Sequence, residues 1–140
     1  MIDYSRAKEI FFTYSSSKFQ MMRDGFSAEY SSCHVPEELE SLWLIELIKQ
    51  ELNKLDINNP ENLFPLWYIL ETNCKSEYLN DIIDFAENNI NKAESELNLL
   101  KFTQKIMETI DRLQSSCSKS NPFELEKFRR RIKIIRNEPV

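Results

Sequence analysis

The sequence predicts an all-α protein, and two observations carry that prediction. The 140 residues include a single glycine, Gly25, which leaves almost no place for glycine-dependent β-hairpins or Gly-rich phosphate-binding loops. Apolar residues recur three and four positions apart between short polar stretches, which is the spacing of amphipathic helices. We therefore expect a compact bundle or a short α-solenoid-like stack of about five to six helices.

The N-terminal part of the chain is expected to hold one helix followed by a loop. The helix can begin after Asp3 or Ser5 and carry its apolar face as far as Gly25, provided that the serines at 15–17 do not break it. Gly25 is a natural end, because glycine adopts the left-handed conformation that terminates helices. We expect an ordered loop over residues 26–35.

The rest of the chain shows five helix starts. Pro36, which precedes a run of glutamates, and the Asn-Pro pair at 59–60 both place a proline at a first helical position, where its missing N–H is not needed. Further periodic stretches begin at Ser76 and Lys92. After a polar linker, residues 122–135 are expected to form the last helix.

Charge is distributed unevenly along the chain. Residues 1–118 contain 11 Lys or Arg and 20 Asp or Glu, a net charge of −9, whereas residues 119–140 contain 7 and 3, a net charge of +4. We therefore expect an acidic helical domain, 1–118, with a basic C-terminal segment, 119–140, packed on it or extending from it. An acidic surface repels phosphates and attracts cationic proteins, so nucleic acid is a poor partner for the body of the chain.

Two sets of charged side chains are candidate binding sites. The acidic set, for a protein partner, comprises Glu37, Glu38, Glu40, Glu46, Asp81, Asp84, Glu87 and Glu94. The alternative basic set, for nucleic acid, comprises Lys127, Arg129, Arg130, Arg131, Lys133 and Arg136. Simpler interpretations are that the acidic faces only keep the protein solvated, and that the last helix buries its isoleucines while its arginines pair with the acidic body of the same chain.

The sequence offers little for catalysis or metal binding. His34 is the only histidine, and neither Cys-x-x-Cys nor Glu-x-x-His spacing occurs. We therefore predict no catalytic residue, no metal and no cofactor. Cys33, Cys74 and Cys117 are odd in number and widely spaced, so we expect reduced thiols. Aromatic residues at helical spacing are typical of a core and alternatively line a ligand cavity; they are Phe12, Trp43, Phe64, Trp67 and Tyr68.

No membrane segment or secretory signal is visible. The longest apolar runs, such as 42–45 and 66–70, are far shorter than the roughly 20 residues that span a bilayer. The N-terminal residues do not combine a basic stretch with an apolar one. We therefore expect a cytoplasmic protein with no membrane partner.

Two stretches resemble a known family. Residues 17–30, SKFQMMRDGFSAEY, and 35–43, VPEELESLW, resemble small bacterial immunity proteins encoded beside contact-dependent or other polymorphic toxins. The resemblance implies a non-catalytic helical protein that binds one cognate toxin domain and blocks its active site or partner surface. The acidic charge agrees, because an acidic protein can occupy the place of the substrate of a basic, nuclease-like toxin. The alternative is a small helical regulator that binds nucleic acid through residues 127–136.

Overall fold

The computed structural model describes residues 2–139, in which the regular elements are all helical. The eight α-helices are α1 (Ser5–Thr13), α2 (Lys18–Arg23), α3 (Ser27–Ser32), α4 (Glu37–Leu52), α5 (Leu63–Asn73), α6 (Leu79–Asn88), α7 (Glu96–Ser116) and α8 (Pro122–Ile135). Short 3-10 helices occupy Pro60–Asn62, Ser76–Tyr78 and Ile90–Lys92. The all-α prediction is confirmed, although the expected number of helices is too low. Across the described residues, no helix combines the length and apolarity needed to cross a membrane.

Two helices near the N-terminus account for the difference in number. Ser15 and Ser16 adopt positive φ angles of 49° and 67°, so the chain leaves helical geometry and α1 ends before them. Ser17 then caps α2, because its hydroxyl accepts a hydrogen bond from the Gln20 N–H at 3.2 Å. The loop expected over 26–35 contains α3, which is six residues long and too short for periodicity to reveal.

Two of the three helix starts marked by proline are in place, whereas Pro60 begins a 3-10 helix and α5 follows from Leu63. α4 begins directly after Pro36, and α8 begins at Pro122. The Asn121 side chain caps α8 by accepting a hydrogen bond from the Phe123 N–H at 3.0 Å. The helix expected from Lys92 starts later, at Glu96, because Ser95 is the residue that caps it.

The chain forms two compact units, of which the first reaches to Gln50 and the second begins at Glu51. The core of the first unit is aromatic. The Phe11 ring centroid lies 5.6 Å from that of Trp43 and 6.5 Å from that of Tyr30, which places α1, α3 and α4 around one cluster. Ile10 and Met21 are also buried in this unit.

In the second unit, the long helix α7 packs against α5, α6 and α8. The buried side chains at its core include Leu66, Ile69, Ile82, Ile83, Phe102, Ile106, Ile110 and Ile132. Residue 118, where the net charge of the sequence changes sign, lies inside this unit, and α8 packs on α6 as well as on α7.

The expectation of reduced thiols is wrong for two of the three cysteines. Cys74 and Cys117 form a disulfide with a Cα–Cα distance of 5.6 Å, and Cys33 is free. The two cysteines follow the last residues of α5 and α7, which lie side by side in the same direction. Their separation of 43 residues in sequence gave no sign of this arrangement, because it depends on how the two helices pack.

Candidate partner-binding surfaces

Four of the predicted acidic residues lie on α4, and two of them are held by contacts within the first unit. Glu40 is turned toward the core side of α4, where its Oε2 accepts a hydrogen bond of 2.5 Å from the Tyr30 hydroxyl and lies 3.6 Å from Lys18 Nζ. Burial and this hydrogen bond raise the pKa of Tyr30 above its ordinary value. Glu46 pairs with Lys8 at 3.0 Å. These two carboxylates therefore stabilise the unit rather than await a partner.

The opposite face of α4 is exposed and mixed in character. Glu38, Leu42, Ile45 and Lys49 follow one another at spacings of four, three and four residues, which places them on one ridge of the helix. Leu42 is 62% exposed and Ile45 is 39% exposed. Glu37 and Glu38, in the first turn, form no ion pair with any residue in 2–139. We call Glu37, Glu38, Leu42 and Ile45 the α4 patch.

The acidic residues of α6 are divided between an internal network and solvent. Arg131 of α8 lies 2.6 Å from Asp84 Oδ1, contacts Glu87 Oε1, and donates to Asn80 Oδ1 at 2.7 Å. The structure thus brings Asp84 and Glu87 together around one cation of the same chain. Asp81 is exposed and forms no ion pair within the described part of the chain.

Glu94, the last of the predicted acidic residues, lies just before α7. Its side chain is exposed, while its backbone N–H donates to Asn58 Oδ1 at 2.6 Å. The eight predicted residues therefore fall into a group on α4 in the first unit and a group in and beyond α6 in the second unit.

Three arginines, two on α8 and one directly after it, form intramolecular pairs. Arg129 lies 3.0 Å from Asp111, Arg131 binds Asp84 and Glu87, and Arg136 lies 3.0 Å from Glu138. Phe128, Ile132 and Ile135 are buried, while Ile134 is 66% exposed. The simpler interpretation of the last helix is therefore confirmed for Arg129 and Arg131 and for Ile132 and Ile135, whereas Phe123 and Ile134 are exposed.

Fewer cations of α8 are available to bind nucleic acid than the sequence suggested. Lys127 and Lys133 form no ion pair with residues 2–139, and Arg130 has only the exposed Glu126 at 3.8 Å. Lys127 and Arg130 point away from the core, and Lys133 is half-buried. A continuous cationic surface for nucleic acid is thus reduced to a few side chains.

The aromatic residues differ in how far they are buried. Trp43 is buried in the first unit, whereas Phe64 in α5 is 58% exposed and its ring centroid lies 4.9 Å from that of Trp67. These two rings line a small pocket of about 80 Å³ together with Lys105, Glu108 and Thr109 of α7. The guanidinium of Arg112 covers Trp67 at 4.4 Å from the ring centroid. Their helical spacing in the sequence does not distinguish the exposed Phe64 and the half-buried Trp67 from core aromatic residues.

Within residues 2–139, no three His, Cys, Asp or Glu side chains are grouped to hold a metal ion. His34 is exposed, and its φ of 49° places it in a left-handed turn after α3. Local contacts explain the lowered pKa values of carboxylates: hydrogen bonds from Ser5 lower the pKa of Asp3, the Arg6 guanidinium lowers that of Glu29, and Arg23 lowers that of Asp24.

Comparison with known proteins identified no relative of this chain. The chain matches no protein family, no characterised protein sequence and no solved structure.

Proposed function

We propose that this protein is a non-catalytic immunity protein, which binds and neutralises a cognate bacterial toxin domain of basic, nuclease-like character. The α4 patch is the observation that supports the proposal. It combines two unpaired carboxylates, Glu37 and Glu38, with the exposed apolar side chains of Leu42 and Ile45 on one helix. The resemblance of residues 17–30 and 35–43 to immunity proteins includes three members of this patch.

The chemistry of the patch fits a cationic protein. Large exposed apolar side chains supply the desolvated contact on which most interface affinity depends. Carboxylates beside them attract a basic surface and accelerate encounter, and they disfavour nucleic acid. In the basic C-terminal segment, by contrast, Arg129, Arg131 and Arg136 are already paired, so the alternative of a nucleic-acid-binding regulator has less support.

The proposal is tested by co-expressing the protein with the product of the neighbouring gene. We expect a stoichiometric complex that survives affinity purification in about 0.15 M salt and restores the growth of cells making the toxin. Leu42→Asp combined with Glu38→Lys should abolish both complex and rescue, because it removes an apolar anchor and reverses a charge.

A matched control reverses the charge of two other exposed glutamates, Glu96 in the first turn of α7 and Glu124 in the first turn of α8, by the substitutions Glu96→Lys and Glu124→Lys. This variant should rescue growth as well as the wild type does. Equal rescue by the α4 variant would contradict the assignment of the patch, and a neighbouring product that neither binds nor harms cells would contradict the immunity function.

We propose further that the protein acts in the cytoplasm. The structure contains the Cys74–Cys117 disulfide, and in that compartment the reducing pool would open it and leave α5 and α7 without a cross-link. Rapid alkylation of intact cells, followed by non-reducing electrophoresis, should then trap two free thiols in addition to Cys33. Recovery of the disulfide from freshly quenched cells would place the protein in an oxidising compartment.

A further inference from the structure

The face of α8 directed away from α6 and α7 carries an unusual combination of side chains. Phe123, Lys127, Arg130 and Ile134 are spaced by four, three and four residues, so they form one ridge on the side opposite the buried Leu125, Phe128, Ile132 and Ile135. Phe123 is 82% exposed and Ile134 is 66% exposed. We call these four residues the α8 ridge. Large apolar side chains thus stand at both ends of the ridge and two cations stand between them.

We propose that the α8 ridge is a docking site for an acidic amphipathic helix of a partner protein. Phe123 and Ile134 are eleven positions apart, which is about 16 Å along a helix. The complementary helix presents apolar side chains at both ends of one face, and carboxylates between them that face Lys127 and Arg130. The proposal is independent of the immunity function, since the α8 ridge and the α4 patch share no residue.

Charge decides among the occupants of the ridge. A second copy of the chain, paired antiparallel across a two-fold axis, would set Lys127 and Arg130 against the same two cations of its partner and would be repelled. A partner helix with carboxylates in the middle of its face would instead attract Lys127 and Arg130. Lys127 has no ion pair among residues 2–139, and Arg130 has only the exposed Glu126, so both cations are free to make such contacts.

Neither nucleic acid nor a lipid bilayer would make favourable contacts with all four side chains of the α8 ridge. Phosphate backbones are bound by clustered cations, whereas three arginines of the basic C-terminal segment are paired with Asp111, Asp84, Glu87 and Glu138. A helix that lies in a membrane surface buries a broad apolar face, and the apolar face of α8 is already in the core of the second unit. A protein helix can place carboxylates against the two cations and apolar side chains against Phe123 and Ile134.

The test titrates the full-length protein with a labelled helical peptide of about 20 residues. One face of the peptide carries leucines about 16 Å apart, with two glutamates between them. We expect saturable binding below about 1 mM, detected by fluorescence anisotropy. Phe123→Ser with Ile134→Ser, and separately Lys127→Glu with Arg130→Glu, should each weaken binding at least about tenfold. These residues are exposed, so the variants should keep the wild-type helical circular dichroism.

Two controls make the result specific. Reversal of two other exposed lysines, Lys101→Glu with Lys119→Glu, should change the affinity by less than about twofold. A peptide with lysines in place of the glutamates should bind only the Lys127→Glu, Arg130→Glu variant, because the charges of both partners have then been exchanged. Absence of peptide binding, failure of this exchange, or tighter binding of duplex DNA or phosphatidylserine vesicles at the same ridge would overturn the proposal.

Discussion

At the scale of single residues, the hydrogen bond between Tyr30 and Glu40 is the contact with the clearest physical consequence. Tyr30 is 6% exposed, and its hydroxyl donates to a carboxylate that also lies near Lys18. The bond joins α3, which the sequence did not reveal, to the first turns of α4. Hydrogen bonds to charged groups contribute about 1.5 to 3 kcal/mol, more than those between neutral groups.

We predict that Tyr30→Phe lowers the free energy of unfolding at neutral pH by about 1 to 3 kcal/mol, because Glu40 loses its hydrogen-bond donor. Burial and Glu40 raise the pKa of Tyr30 above the ordinary value of 10.0, so the folded protein keeps a proton that the unfolded chain releases. The wild type should therefore lose stability as the pH rises past about 10, and the variant should lose less. Urea unfolding at about pH 8 and about pH 11 measures both effects.

The control is Tyr4→Phe, which removes a phenol from the same unit and should change the unfolding free energy at neutral pH by less than about 0.5 kcal/mol. An equal alkaline loss in the wild type and in Tyr30→Phe would show that other groups carry the pH dependence.

At the scale of elements, the parallel packing of α5 on α7 organises one side of the second unit. The helices are joined by the disulfide at their ends, by Glu71, whose Oε1 accepts from the Ser116 hydroxyl at 3.3 Å, and by the Arg112 guanidinium over Trp67. The cross-link closes a long loop that includes α6. Such a loop restricts the unfolded chain strongly, which is the main way a disulfide stabilises a protein in the chain-entropy description.

We predict that reducing the Cys74–Cys117 disulfide, or replacing both cysteines by alanine, lowers the free energy of unfolding by about 2 to 4 kcal/mol. Urea unfolding with and without a thiol reductant measures the difference. Cys33→Ser is the matched control, since Cys33 is free and its loss should change stability by less than about 0.5 kcal/mol. A reductant effect of equal size in the double alanine variant would disprove the role of this cross-link.

At the scale of the whole molecule, the two compact units differ in size, since the first ends at Gln50 and the second runs from Glu51. The second unit has its own core around α7 and contains the disulfide within its boundaries. The first unit is near the lower limit of size at which a single hydrophobic core supports a stable domain.

We predict that residues 53–140, expressed alone, fold with helical circular dichroism and a cooperative urea transition, whereas residues 1–52 alone show no cooperative transition. The cut after Leu52 leaves α4 intact in the smaller fragment. A broad, non-cooperative transition of residues 53–140 would mean that the second unit depends on the first for its stability.

The sequence by itself determined the features that depend on near neighbours along the chain. The near absence of glycine and the apolar spacing predicted the all-α class, and Pro36, Pro122 and Gly25 marked the limits of helices that the structure contains. Proline geometry, helix capping and the left-handed conformation of glycine act over a few residues, so the local sequence is sufficient to read them.

Only the tertiary structure decided which distant groups meet. It paired Cys74 with Cys117 where the sequence suggested free thiols, and it set Arg131 between Asp84 and Glu87. It also turned Glu40 toward Tyr30 while leaving Glu38 exposed on the other side of the same helix. A list of charges cannot separate such residues, because pairing and burial are set by the packing of helices that are far apart in sequence.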